Sequence, residues 1–389
     1  MRDAVIAAAL RTPVGKRNGA LKDWHPVDLS AHLLTGLADR TGLDPAVVDD
    51  VIWGCVSQTG EQAANVARNA VLAAGWPESV PGVTVDRQCG SSQQAVHFAA
   101  AGVISGQYDV AIAGGVESMT RIPMGVTFSQ GPGIPFGPRM MARYEPAGGL
   151  VPQGISAELI AERWGLTRTQ ADEFSLASHE RAAAAIDDGR FAAQIVPVPV
   201  DDEGGAERLF DTDEGVRRGG TIEKLAGLSP AFKPDGIVTA ANSSQISDGA
   251  SALLVTTSEK ARELGLTPLV RLHTFAMGGV DPRIMLTGVI PATQRALERS
   301  GLRLDEIGAF EVNEAFATVV LAWQAELGAD PKLVNANGGA VALGHPLGGS
   351  GGRLMTTLVH HMVDHGIRFG LQTMCEGGGM ANATILELL

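Results

Sequence analysis

What most limits the folds open to this chain is an alternation of short apolar runs with longer helical ones, interrupted once and then resumed. In the first stretch, residues 4–10 read as a strand and Pro26–Thr41 as a helix with Leu29, Leu33, Leu34 and Leu37 on one face. A strand at 51–56, a helix at 65–74, a strand at 83–85, a helix at 93–104 and a buried strand at 109–115 complete it. The second stretch has strands at 269–272, 309–312, 333–336, 370–374 and 383–386, with helices at 291–300, 313–327 and 350–365. Alternation of this kind builds layered α/β sheets. The run 51–56 with its helix matches 309–312 with its helix, and 112–115 matches 373–378, so two copies of one α/β unit about a pseudo-twofold axis are the simplest account. The expected halves are 1–117, continued by 248–267, and 268–389.

The interruption, 118–247, differs in character. Residues 128–149 are rich in Gly and Pro, 196–200 form an extended edge, and 201–218 are charged and loop-like. Between them 156–190 reads as a helical pair, with Thr167 and Gln170 forming a capping box. An inserted loop domain of this sort usually shapes a binding site.

Composition removes several functions. With 389 residues, 45% hydrophobic and 19% charged, the chain can bury a large core. No apolar run approaches a membrane span, and Arg2, Asp3 and Arg11 interrupt the region a signal peptide would need, so a cytoplasmic location is expected. A net charge of −13 makes nucleic acid an improbable partner. Cys55, Cys89 and Cys375 lie far apart without a CxxC pair, against a disulfide framework or cysteine-rich zinc site.

Cys89 lies in a turn, Asp86 to Ser92, between strand 83–85 and the helix that follows. Gly90 allows the sharp turn, and Ser91 and Ser92 can satisfy free amides at the helix start. Those amides and the helix dipole would stabilise a thiolate, although a small buried hydrophobe is an equally available role for a free cysteine. In the second copy, His345 sits in a run of glycines from 338 to 352, better suited to a base than to packing, and the run lacks the lysine of a phosphate loop. Cys375 opens CEGGG, where main-chain amides can approach a ligand, and Asn313 is placed at a helix start where its amide could face the same cleft.

The set VDRQCGSS, NEAFA, GHPLGGSGGR and CEGGGM, in that order, resembles the thiolase family over essentially the whole chain. The resemblance implies a five-layered αβαβα sandwich and an acyltransferase, acetyl-CoA C-acyltransferase or C-acetyltransferase, working by ping-pong Claisen chemistry. It implies Cys89 as the acylated nucleophile, His345 as its base and Cys375 as the acid/base at the substrate α-carbon or CoA thiol. Asn313 would hold a water that forms one oxyanion hole with His345, and the amides of Cys89 and Gly377 would form the second. CoA and acyl-CoA enter as substrates, with no resident cofactor or metal. Arg217, Arg218, Lys224 and Lys233 cluster in the inserted segment; Arg217, Lys224, Ser244 and Phe316 are the CoA-binding candidates, while a solvated charged face accounts equally well for Arg218 and Lys233.

Pro152-Gln153-Gly154 stands where biosynthetic acetoacetyl-CoA thiolases resemble one another in carrying His-Met-Gly, so the chain looks closer to degradative 3-ketoacyl-CoA thiolases of fatty-acid or sterol side-chain breakdown. A biosynthetic acetoacetyl-CoA thiolase is the alternative. Ketosynthase-type condensing enzymes have histidine where Asn313 stands, and a non-catalytic CoA-binding relative would be expected to lose Cys89 or His345. A homodimer or homotetramer is expected, with 128–149 as the intersubunit element.

Overall fold

The computed structural model describes residues 2–201 and 204–389. Its strands are β1 (Val5–Arg11), β2 (Gly15–Lys16), β3 (Asp50–Gly54), β4 (Gly82–Val85), β5 (Val110–Ser118) and β6 (Val198–Asp201). These are followed by β7 (Glu207–Phe210), β8 (Ser247–Thr256), β9 (Val270–Gly279), β10 (Ala309–Val312), β11 (Phe369–Glu376) and β12 (Met380–Leu388). The helices are α1 (Pro26–Thr41), α2 (Val66–Ala73), α3 (Ser91–Ser105), α4 (Val126–Ser129), α5 (Pro138–Tyr144), α6 (Gln153–Trp164) and α7 (Arg168–Asp187). Then come α8 (Ile222–Ala226), α9 (Ser258–Glu263), α10 (Val289–Ser300), α11 (Ala317–Leu327), α12 (Ala340–Leu343) and α13 (Leu347–His365).

The main sheet runs β10-β11-β12-β9-β1-β8-β5-β3-β4. On one side β3 is parallel to β5, and β5, β8 and β1 are antiparallel in turn. On the other, β10 is parallel to β11, and β11, β12 and β9 are antiparallel in turn. The pattern is the same twice, which is the duplication expected from the sequence. The copies meet at β1 and β9 through only two paired positions, Val5 with Arg271 and Ile6 with Val270.

Three separate cores account for the layering. Leu33, Leu37, Trp53 and Ile112 pack α1 and α2 on one outer face, and Ile290, Phe310, Trp323 and Ile385 pack α10 and α11 on the other. The middle core joins Val96 and Ala99 of α3 to Met355 and Val359 of α13, between Leu253 of one half and Leu272 and Leu386 of the other. Both central helices are therefore buried over most of their surface, with Phe98 and Ile104 of α3 left exposed on one side, and α3 reads as a nearly continuous apolar and small-residue run instead of an amphipathic one. Helices α6 and α7 share the second outer core through Ala157 and Ile160 and a smaller one through Ala182 and Ala185. A buried ion pair, Arg11 to Asp213 at 2.7 Å, ties their segment to β1.

Two local readings change. Residues 333–336 form no strand; Pro331–Leu333 is a single 3-10 turn and Asn335 takes a left-handed φ of 50°, which ends any extended run after the lone Phe310 to Val334 bridge. Within 201–218, Glu207–Phe210 is a strand paired with Val198–Asp201, because Phe210 inserts into the first outer core; residues 202 and 203 lie outside the described residues.

Candidate active site

The turn after β4 is shaped by short polar contacts. Asp86 Oδ1 accepts the Gln88 amide at 2.7 Å, and Gln88 takes φ +48°, a left-handed conformation that costs a non-glycine residue roughly 1–2 kcal/mol. The Ser91 hydroxyl accepts the Arg87 N–H at 2.9 Å and donates to the Gln88 carbonyl at 2.5 Å. Ser91 thus closes the turn, and Ser92 accepts the Gly352 N–H at 2.8 Å across to α13; neither serine caps its own helix, whose N-cap is Gly90. Cys89 lies just before that cap, as expected, with 4% of its surface exposed. Its electrostatics are the reverse of the expectation. Burial first, then the Glu376 carboxyl, pushes the thiol up to about 12, outweighing its own amide and the hydrogen bond from the Gln153 side chain. At neutral pH the group is a thiol.

His345 occupies the loop between α12 and α13. Its Nδ1 is 2.6 Å from Ser350 Oγ, and the Ser350 hydroxyl donates its one proton to the Pro346 carbonyl at 2.7 Å. The imidazole must therefore donate from Nδ1, which leaves the lone pair on Nε2. Asn313 Nδ2 lies 3.4 Å from that nitrogen. Burial, assisted by the Arg353 charge, holds His345 down at about 3, so it is a neutral imidazole whose Nε2 lone pair faces the Asn313 amide.

Asn313 does not start a helix. Residues 313–316 form a connecting segment, the Asn313 amide donates to the Thr373 carbonyl at 3.1 Å, and α11 begins only at Ala317. Its side-chain Oδ1 is buried without a partner among the described residues. Cys375, near the end of β11, is fully buried; burial, then the Cys89 and Glu376 charges, raise its thiol well above the usual range, so the two cysteines share one electrostatic neighbourhood. A β-carbon on Gly377 would stand 3.0 Å from Gln88 Oε1 and 3.5 Å from Gln153 Nε2, which brings the CEGGG turn and the start of α6 against the Cys89 turn.

One carboxylate holds these loops in register. Glu117 of β5 accepts the Val56 and Ser57 amides at 2.9 and 3.0 Å, the Gln62 side chain at 2.8 Å and the Gly348 amide at 2.9 Å. The glycines after His345 open α13 three residues earlier than 350 and serve close approach more than turning. A β-carbon at Gly348 would meet the Val116 carbonyl at 2.5 Å, and one at Gly351 the Gln93 amide at 2.4 Å.

Of the CoA candidates, Ser244 and Phe316 adjoin this site. The Ser244 amide donates to Ala315 O at 2.9 Å, and the Phe316 ring meets Phe232 edge-on at 6.0 Å, with Phe232 covering Gly154. Arg217 and Lys224 are exposed; the Arg217 amide donates to His179 Nδ1 at 3.0 Å and Lys224 Nζ to the Gly219 carbonyl at 3.3 Å. Arg218 and Lys233 form surface pairs with Asp187 and Glu162, at 2.7 and 2.5 Å.

Family models for the N-terminal and C-terminal thiolase domains match residues 4–259 and 266–388. The chain belongs to the thiolase family. It is 50% identical over its whole length to steroid 3-ketoacyl-CoA thiolase FadA6 of Mycobacterium tuberculosis, covering 95% of that protein. It is 47% identical to a 3-ketoacyl-CoA thiolase of Photobacterium profundum, with each chain fully covered. Among solved structures, the acetyl-CoA acetyltransferase of Bacillus anthracis superposes with a TM-score of 0.91 at 40% identity, over 100% of this chain and 99% of that one. In this thiolase Cys375 shares the electrostatic surroundings of Cys89, Gly377 lies against the Cys89 turn, Asn313 meets His345, and Leu347, two residues beyond His345, packs in one cluster with Cys89. Ser350, Glu117 and Glu376 went unassigned in the sequence, and Gln153 was read only for its bearing on substrate range. Ser350 and Glu376 carried a usable signal, each lying within the motif of His345 or Cys375, whereas Glu117 is brought in only by the tertiary fold.

Proposed function

We propose that this chain carries out reversible thiolysis of 3-ketoacyl-CoA to acetyl-CoA and a shortened acyl-CoA, in degradative β-oxidation, through an acyl group on Cys89. His345 Nε2 takes the Cys89 proton as the thiol attacks the thioester. Cys375 then removes or returns a proton at the substrate α-carbon or the CoA sulfur. Asn313 and His345, with a water, face one oxyanion, and the Cys89 and Gly377 amides face the other; preformed donors of this kind are each worth about 3 kcal/mol. The observation that carries the reading is the Ser350-fixed imidazole, whose Nε2 faces Asn313 two residues before Leu347, which packs in one cluster with Cys89.

The substrate class rests on Gln153, whose side chain reaches Cys89, and on the 3-ketoacyl-CoA thiolase names of full-length relatives. Without a His-Met pair there, esters longer or bulkier than acetoacetyl-CoA enter. Added methylenes change binding by about 1–3 kcal/mol, so the preference is graded. Steady-state kcat/KM across 3-ketoacyl-CoA chain lengths, with a sterol side-chain ester included, tests this; activity confined to acetoacetyl-CoA points to the biosynthetic alternative.

The segment 118–247 receives CoA, with Ser244 and Phe316 along the pantetheine and Arg217 and Lys224 toward the adenine end. Its exposed apolar side chains, Ile134 at 71% and Met124 at 60%, support an intersubunit role and a homodimer or homotetramer. Light scattering after size exclusion tests it; a monomer at micromolar concentration counts against it. The three unpaired cysteines fit a reducing, cytoplasmic compartment.

A further inference from the structure

Glu376 follows Cys375 at the end of β11 and is completely buried. Both of its carboxyl oxygens lack a hydrogen-bond partner among the described residues. A β-carbon on Gly90 would lie 2.0 Å from Oε1, so the carboxyl is seated on the backbone immediately after Cys89. The nearby Asn382 amide is already donated to the Gly90 carbonyl at 3.1 Å. Arg87, the nearest cation, makes no ion pair with it: its Nε is buried without a partner, and its Nη1 rests 3.8 Å from Met380 Sδ.

A buried carboxylate with neither hydrogen bond nor ion pair is strongly disfavoured, and the neutral acid is not. The charged and titratable groups that face it are Arg87 and Asp86 from the turn and the Cys89 and Cys375 thiols; Glu117 acts on Cys89 from β5. Burial raises the Glu376 carboxyl to about 8, with Arg87 opposing the rise and Asp86 adding to it. Nothing in the acyl-transfer chemistry uses this group, and it touches no solvent.

We propose that Glu376 is a positioning residue for acyl transfer, held as the neutral acid against the Cys89 turn and, once ionised, opposing formation of the Cys89 thiolate. The inference rests on the reading of Cys89 as nucleophile. The ionisation releases one proton to solvent and forms or breaks no other bond. At a given pH a Cys89 beside neutral Glu376 is the more reactive thiol, so the acid acts as a permissive neighbour across the neutral range and as a brake above it.

The test is iodoacetamide alkylation of Cys89, followed site by site by peptide mass spectrometry from pH 6.5 to 9.5, in the wild-type full chain and in Glu376→Gln. The amide is isosteric and cannot ionise. The two proteins should react at equal rates at the acid end, and the variant should become faster above pH 8 by on the order of tenfold, the size expected for two charges a few ångströms apart in a partly polar interior. A ratio independent of pH, or a variant slower throughout, overturns the proposal. The wild type alone also decides it, should the variant misfold. Its log rate should fall below unit slope around pH 8 and then resume, and a straight line of unit slope overturns the proposal. Complete Cys89 alkylation with turnover retained would overturn the nucleophile reading as well; turnover lost together with a pH-independent ratio would overturn only the role of Glu376.

Discussion

The two central helices, α3 and α13, are equivalents in the duplicated fold, and each begins at a reactive side chain held just outside its first turn. Their supports differ. The Cys89 turn is shaped mainly by its own sequence neighbours, Asp86, Ser91 and a left-handed Gln88, within six residues, with Asn382 donating to the Gly90 carbonyl from β12. The His345 loop is fixed from afar, by Ser247 and Gln245 on its amide and by Glu117 of the opposite half on the Gly348 amide. A nucleophile that must accept and release an acyl group is positioned by a locally closed loop. The proposed base takes its ring orientation from Ser350 in the same loop and its backbone position from the body of the fold. The two buried helix starts thus carry a thiol and an imidazole on differently anchored loops.

Removing the two thiols breaks this comparison most severely. Cys89→Ala should abolish acyl-enzyme formation and turnover, since no other group can carry the acyl chain. Cys375→Ala should still be acylated by acetyl-CoA, because His345 serves the Cys89 thiol, while losing exchange of the acetyl methyl protons and carbon–carbon bond formation. Intact-protein mass spectrometry reads the first and deuterium uptake the second. A Cys375→Ala enzyme that keeps both exchange and condensation would mean that Cys375 is a packing residue.

The next effect is smaller and bears on the imidazole alone. In Ser350→Ala the Nδ1 proton loses its acceptor and the ring can adopt the other tautomer, which carries hydrogen on Nε2 and cannot take the Cys89 proton. General bases contribute about 10²–10⁴-fold, and a partial loss of the correct tautomer should cost on the order of tenfold to a hundredfold in the acylation rate with KM little changed. Rapid-quench measurement of acetyl-enzyme formation checks it. An unaltered acylation rate would show that the Asn313 contact alone orients the ring.

These contrasts also mark how far the sequence can be read. Strand–helix alternation exposed the duplication because periodicity is local, and Pro26–Thr41 and the Thr167–Gln170 capping box are found where the pattern puts them. The four motif residues were legible because residue type and glycine context carry chemistry. Protonation was not: the Cys89 turn has the composition of a thiolate site, yet burial reverses the sign, with Glu376, 287 positions away in the chain, adding to it once ionised. Nor was the start of α11, because Asn313, Glu314 and Ala315 are good helix-start residues whose side chains and amides are claimed by His345, Ser178 and the Asn313 carbonyl. The glycines of α13 read as a flexible turn, and only the packed neighbours reveal them as a helix pressed against another backbone.

The smallest effect concerns what the two helices share. Each carries one buried neutral histidine: His345 before α13, and His97 within α3, whose Nε2 meets Thr384 Oγ1 at 2.7 Å and whose ring stacks on Phe275. Burial depresses both to about 3. In the unfolded chain a histidine protonates near 6.5, so between about 6.5 and 3 the unfolded state binds more protons and stability falls as pH falls. Each histidine should cost roughly 1.4 kcal/mol per pH unit in that window. Glu311 and Glu376, raised to about 8 by burial, act in the opposite sense above pH 4.5, where the folded state holds the extra proton. The total slope is therefore a poor test, and the difference between wild type and His97→Gln is a clean one, since glutamine can keep the Thr384 hydrogen bond without titrating. Urea unfolding at pH 7, 6 and 5 should show the variant gaining on wild type by roughly 2 kcal/mol as pH drops. A constant difference would mean that His97 is already protonated in the fold, and α3 would then have to accommodate a charge against Thr384 and Phe275 of the neighbouring strands.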